Sequence, residues 1–232
     1  MMMWLILVVP AMLLAMLAQW WVHSACKSMH QIPARMSGAQ AARTILDAHR
    51  LTDVPIEPSM GFMSDHYDPQ SKVVRLSPDV YQGRTMSAVG IAAHEVGHAL
   101  QDARNYAPLV IRNLAVPAAS FGGSMASVLV SAAFFLMIAG LAKFASWALL
   151  LGVIGFGLIV VFQLINLPVE FNASSRAKDE LVNLRIISAS ELPYINKVLT
   201  AAAMTYVAAT FSSIMNMLYY AMQYAMVSDR DG

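Results

Sequence analysis

Charge is scarce in this chain: only 12% of its 232 residues are Asp, Glu, Lys or Arg, about half the share usual in a soluble globular domain. Cysteine is nearly missing. With Cys26 alone, no disulfide can form within the chain, and nothing marks an oxidising compartment. The net charge of +1 leaves no basic surplus to attract nucleic acid, which is therefore not an expected partner. Internal repeats and low-complexity blocks are also lacking, which sets aside solenoids and fibres. Apolar side chains, by contrast, make up 58% of the sequence. That surplus runs against a disordered tail or a fully soluble enzyme. It suits an integral membrane protein, with the lipid bilayer as a partner, carrying one modest polar domain.

The apolar residues are concentrated in runs. Residues 1–22 are uncharged, interrupted only by Pro10 and Gln19, and long enough to span about 30 Å of hydrocarbon. A signal peptide would have a basic leading region and a shorter apolar run, so the segment reads as a retained anchor with Trp20 and Trp21 near one interface. A polar region follows at 23–116. Residues 117–167 read as a transmembrane hairpin whose halves meet near Lys143, the single charge between Arg112 and Glu170. Glycines such as Gly122, Gly123, Gly152 and Gly155 would let those halves pack closely. A second polar segment covers 168–197. A last helix, 198–227, carries Thr210, Ser212, Ser213, Asn216 and Gln223 and is the weakest span. The fold class is thus mainly α, with about four transmembrane helices.

Orientation follows from the cations. Nine Lys and Arg residues lie in 23–116 and four in 168–197, against Lys143 and Arg230 on the other side. By the positive-inside rule both polar regions face the cytoplasm and the N-terminus lies outside, as expected for a bacterial inner (plasma) membrane protein.

Within the first polar region a helix is predicted from Ser37, as N-cap, to His49. Pro55, Pro58 and Gly61 mark a loop. Lys72–Leu76 alternates enough for a short strand between Asp68-Pro69 and Ser77-Pro78. A helix over Thr85–Arg104 then carries His94-Glu95-Val96-Gly97-His98, an H-E-x-x-H pattern. Four helical residues turn about 400°, so the two imidazoles project from one face, one turn apart. They can give nitrogens to one Zn²⁺, the expected cofactor, while Glu95 stands about 100° round the helix. Glu95 is then free to act as general base on a zinc-activated water. Gly97 weakens a helix by about 1 kcal/mol relative to Ala, which suggests that something packs tightly against it.

A catalytic zinc needs a third protein ligand. The candidates are His23, His30, His49, His66, Asp102 and Glu170. Asp102, four residues after His98, is better placed to orient an imidazole N–H. Glu170 is favoured because two spans separate it from His94, returning the chain to the same side of the membrane. Tyr67, His66, Arg176 and Tyr206 are possible donors to a developing oxyanion.

The run His94–Gln101, followed beyond the hydrophobic hairpin by Pro168-Val169-Glu170-Phe171-Asn172-Ala173-Ser174, resembles the YugP-type membrane zinc metallopeptidases. Asp65-His66-Tyr67-Asp68-Pro69 and Val73-Val74-Arg75-Leu76-Ser77 also look like that family. The second motif is similar to the E-F/Y-x-A-D segment of the HtpX-like and CAAX-prenyl-protease gluzincins. That likeness implies a small α+β zincin-like cytoplasmic domain and Glu170 as third ligand beside His94 and His98. Ser174 stands where that group has an aspartate, so Asp102 or Asp179 would have to take its part, or the site lacks it.

The expected function is a membrane-embedded zinc metalloendopeptidase that cleaves protein or peptide substrates, membrane proteins among them. Lys72–Leu76 is expected at a sheet edge, where it could pair with an extended substrate. Two rivals differ in kind. A non-catalytic zinc-binding membrane scaffold would not need Glu95. A site-two-type intramembrane protease would bury the motif in a span, yet here Arg84 and Arg104 bracket it. Cysteines introduced at positions flanking His94 are expected to react readily with a water-soluble maleimide; failure to label would favour the intramembrane class.

Overall fold

A computed structural model describes residues 2–61 and 64–228. Arg230, counted above in the charge asymmetry, lies outside them. Among the described residues four helices are long and apolar enough to cross a membrane: α1 (Met2–His30), α5 (Ala107–Ile138), α6 (Ala142–Asn183) and α7 (Leu192–Ser228). Shorter elements fill the interval between α1 and α5. They are α2 (Gly38–Ala48), β1 (Ile56–Pro58), β2 (His66–Asp68), β3 (Val73–Leu76), α3 (Pro78–Tyr81) and α4 (Met86–Ala103). The molecule is a mainly α membrane protein.

The chain divides into two compact units. One comprises Met1–Leu17, Ile111–Leu167 and Tyr206–Gly232. Here α5 and α6 approach so closely that a Cβ on Gly155 would lie 2.7 Å from the Gly122 carbonyl oxygen, the close backbone packing that small residues allow within lipid. Large apolar side chains such as Phe134, Phe135, Phe144, Trp147 and Ile154 remain exposed on these helices, as they must when the solvent is hydrocarbon. The most hydrophobic stretch of α7 has a mean hydropathy of 1.5, the lowest of the four. Its hydroxyls are satisfied by backbone carbonyls: Thr210 donates to Tyr206 and Ser213 to Ala209 within the helix, and Ser212 to Ala11 of α1. A polar side chain that bonds a backbone carbonyl costs little in an apolar medium.

The second unit, Ala18–Val110 with Pro168–Thr205, holds the motif helix. Ser37 caps α2 through a reciprocal pair of bonds with Gln40, and Thr85 caps α4 by accepting from the Ala88 N–H. Each satisfies a donor that the first helical turn leaves free. The core gathers Ile45, Leu46, Val74, Leu76, Val89 and Val96 with Leu181 and Ile195, all at most 1% exposed.

The sheet corrects one expectation. Its order is β1-β3-β2, with β1 parallel and β2 antiparallel to β3, so Val73–Leu76 is the central strand and not an edge. Val73, Val74 and Leu76 are buried, and a strand covered on both faces loses the inside–outside alternation of an edge. The neighbouring strands span three residues each, and Pro55, Pro58 and Asp68-Pro69 disguise them as loop and turn. The free edges belong to β1 and β2, and substrate pairing along Lys72–Leu76 is withdrawn.

Gly97 meets the backbone of α6. A Cβ there would fall 2.5 Å from the Ala173 carbonyl oxygen and 3.1 Å from its Cα. By contrast, a Cβ on Gly90 would meet only Ile195 side-chain atoms, at 3.4 and 3.6 Å. Gly97→Ala is therefore expected to destabilise by about 1–3 kcal/mol through overpacking despite its better helix propensity. Gly90→Ala is expected to be neutral or to gain up to about 1 kcal/mol. Thermal unfolding of the two variants in detergent checks the contrast.

Candidate metal centre

The site begins with helical arithmetic. His94 and His98 stand one turn apart on α4 and straddle Gly97; Glu170 and Ser174 stand one turn apart on α6 and straddle Ala173. Where the two backbones meet, the four side chains are brought face to face. The imidazole rings lie 4.8 Å apart, nearly perpendicular at 84°. Glu170 Oε2 is 3.2 Å from His94 Nε2 and 3.6 Å from His98 Nε2. Donors bound to one zinc at about 2.0–2.2 Å in tetrahedral directions lie about 3.3–3.5 Å from one another. The observed separations match that spacing, and the three ligand atoms all fall within 4.8 Å. Two nitrogens and a carboxylate oxygen suit zinc chemically. The donor set fits the ion.

Behind each imidazole stands a neutral hydrogen-bonding group. His98 Nδ1 donates to Gln101 Oε1 at 2.9 Å. The glutamine is held in that sense because its Nε2 donates to the Val169 carbonyl (2.8 Å) and to Asn172 Oδ1 (3.1 Å). Asn172 Oδ1 in turn accepts from Arg176 Nε at 2.7 Å, and Arg176 lies over the Tyr106 ring. His94 Nδ1 is hydrogen-bonded to Ser174 Oγ at 3.1 Å, and the hydroxyl can accept from the ring when Nε2 is a ligand. The bond to Gln101 puts the hydrogen of His98 on Nδ1 and leaves its Nε2 lone pair for an ion, and the serine is compatible with the same tautomer of His94.

Glu95 is buried, and its Oε2 accepts the Tyr67 backbone N–H at 3.0 Å. Burial pushes its carboxyl up to about 7, with the Glu170 and Asp65 charges adding to the rise against the opposing effect of His94. Asp65 is also raised, mainly by desolvation, although it accepts both the N–H and the hydroxyl of Ser77. Tyr67 is held well above the usual tyrosine range by burial and by its bond to Asp102.

The remaining candidates are placed elsewhere. Asp102 accepts the Tyr67 hydroxyl at 2.8 Å and no imidazole N–H. Ser174 itself, uncharged, is hydrogen-bonded to His94 Nδ1. His49 pairs with Glu180 at 2.8 Å. His66 is exposed and donates from Nδ1 to the Ser64 carbonyl. Neither these nor His23 and His30 join the cluster of potential ligands found among the described residues. Sequence reasoning missed Gln101, where the one available signal was a polar side chain three residues beyond His98, on the helix face of both histidines.

Gln101 is wholly buried, so its loss cannot be repaired by water. Gln101→Leu is expected to weaken zinc binding by about 10–100-fold, and Ser174→Ala by less, since the serine makes one such bond. Competition against a fluorescent chelator, with apo-protein melting to verify the fold, checks the order.

Comparison with known proteins bears on what such a site serves. Residues 4–225 match the family described as "Putative neutral zinc metallopeptidase". The chain is 44% identical over 223 residues to the protein named "Putative membrane protease YugP" of Bacillus subtilis (strain 168), covering 95% of this chain and 96% of that one. No solved structure matches it. A match of this length, with the His94-His98-Glu170 cluster inside it, places the chain by descent: it belongs to this zinc metallopeptidase family.

Proposed function

We propose that the chain is a membrane-embedded zinc metalloendopeptidase that hydrolyses peptide bonds of membrane proteins or membrane-proximal segments. His94, His98 and Glu170 hold one Zn²⁺, and Glu95 is the general base. The observation that carries this reading is the convergence of ligand atoms from α4 and α6, 76 residues apart in sequence, beside a buried carboxylate that ligation does not require. Thirteen of the fifteen Lys and Arg residues support a cytoplasmic site and an outside N-terminus.

Bound zinc supplies Lewis-acid polarisation of the scissile carbonyl and acidifies the attacking water. The Nδ1–H bond to Gln101 keeps His98 in the tautomer that ligation needs, and Ser174 can accept from His94 in the same tautomer. Glu95 takes the proton of the attacking water and passes it to the leaving amine, splitting the carbon–nitrogen bond without net consumption of the base. Its burial raises its proton affinity and suits it to that exchange. The Tyr67 N–H occupies Oε2, leaving Oε1 to carry the proton.

Glu95→Gln keeps size and hydrogen bonding but cannot accept the proton. It is expected to retain stoichiometric zinc and the wild-type melting temperature while losing about 10²–10⁴-fold in hydrolysis. Zinc analysis, melting and cleavage of labelled casein check this, and proteomics of cells carrying either form identifies new termini. Undiminished biological activity of the variant would favour the scaffold reading.

A further inference from the structure

Tyr67 touches α4 at two places. Its backbone N–H donates to Glu95 Oε2 at 3.0 Å, and its hydroxyl donates to Asp102 Oδ2 at 2.8 Å. Glu95 and Asp102 are seven residues apart, two turns and about 10.5 Å of rise on one helix face. A single tyrosine, lying along the helix, bridges them. The strand register explains why its amide is available. Tyr67 is opposite Val74, whose own N–H turns away toward the Pro55 carbonyl on the β1 side. Tyr67 and Val74 are therefore a non-hydrogen-bonded pair, and the peptide groups of Tyr67 point out from the free edge of β2. His66 and Asp68, paired with Arg75 and Val73, bond inward and hold the strand to the sheet.

From this geometry we infer that Tyr67 and Asp102 form a positioning clamp, in which the side-chain bond to Asp102 sets β2 against α4 so that the Tyr67 amide fixes the Glu95 carboxylate. The inference rests on the proposed role of Glu95 as base. A carboxylate with one oxygen tied to a rigid edge presents the other in one orientation, whereas an untethered one samples several. A displacement of about 1 Å at a reacting group can cost about 100-fold in rate. The clamp touches neither substrate nor ion; it acts through Glu95.

Its loss should therefore lower kcat and spare metal and substrate binding. Tyr67→Phe keeps the ring that packs against the core and removes only the hydroxyl; Asp102→Ala removes the acceptor, and Asp102→Asn keeps one. The experiment uses full-length, zinc-loaded protein in detergent and combines casein cleavage, zinc stoichiometry and residue-resolved hydrogen exchange. Expected for Tyr67→Phe and Asp102→Ala is a fall in kcat of about 10–100-fold with KM within twofold and zinc unchanged. Exchange at the residue 67 amide should quicken at least tenfold, with residues 66 and 68 unaltered. Asp102→Asn should recover both properties relative to Asp102→Ala. The clamp is overturned if the residue 67 amide stays protected in both disrupting variants, or if it is released with kcat intact. Should the wild type show no Glu95-dependent cleavage, the protease reading fails on its own, and exchange at the residue 67 amide still decides the clamp.

Discussion

The approach of two helix backbones at Gly97 and Ala173 governs the site. A glutamate reaches only a few ångströms from its helix, so Glu170 can share a ligand with His94 and His98 only if α4 and α6 nearly touch. The missing Cβ at Gly97 makes that possible. Interiors packed at crystal density transmit small displacements, and at this contact an added methyl group would have to push α4 and α6 apart.

Around that contact the polar groups form closed chains. Arg176, Asn172, Gln101 and His98 are linked in series, and Val169 lends its carbonyl to the glutamine. A buried amide satisfied on both sides has one orientation, and each bond in such a chain strengthens the next. The Glu95 carboxylate is held by a different element, the short strand β2, so the proposed base is bonded apart from the cluster of potential ligands although both share α4.

Much of this was legible in the chain itself where period and punctuation act locally. The cap at Ser37 announced α2, and the four-residue step from His94 to His98 put two imidazoles on one face. Gly97 announced a close neighbour by its poor helix propensity. The apolar runs announced the long helices, and α6 continues through Pro168 to Asn183; a proline removes one helix bond without necessarily ending the helix. The sheet order was not legible. Three-residue strands bounded by prolines have no room to show alternation, so β3 passed for an edge. Gln101 and the Tyr67–Asp102 pair were hidden for another reason: a contact between side chains 35 residues apart leaves no period to read.

The two groups bonded to the imidazoles at Nδ1 are a hydroxyl and a carboxamide, neither of them charged. A carboxylate in either place would draw the Nδ1 proton toward itself and make the opposite nitrogen a more generous electron donor. Serine and glutamine do so more weakly. An ion seated on these rings keeps more of its positive character, polarising whatever occupies its open coordination position more strongly, while its own residence in the protein is shortened.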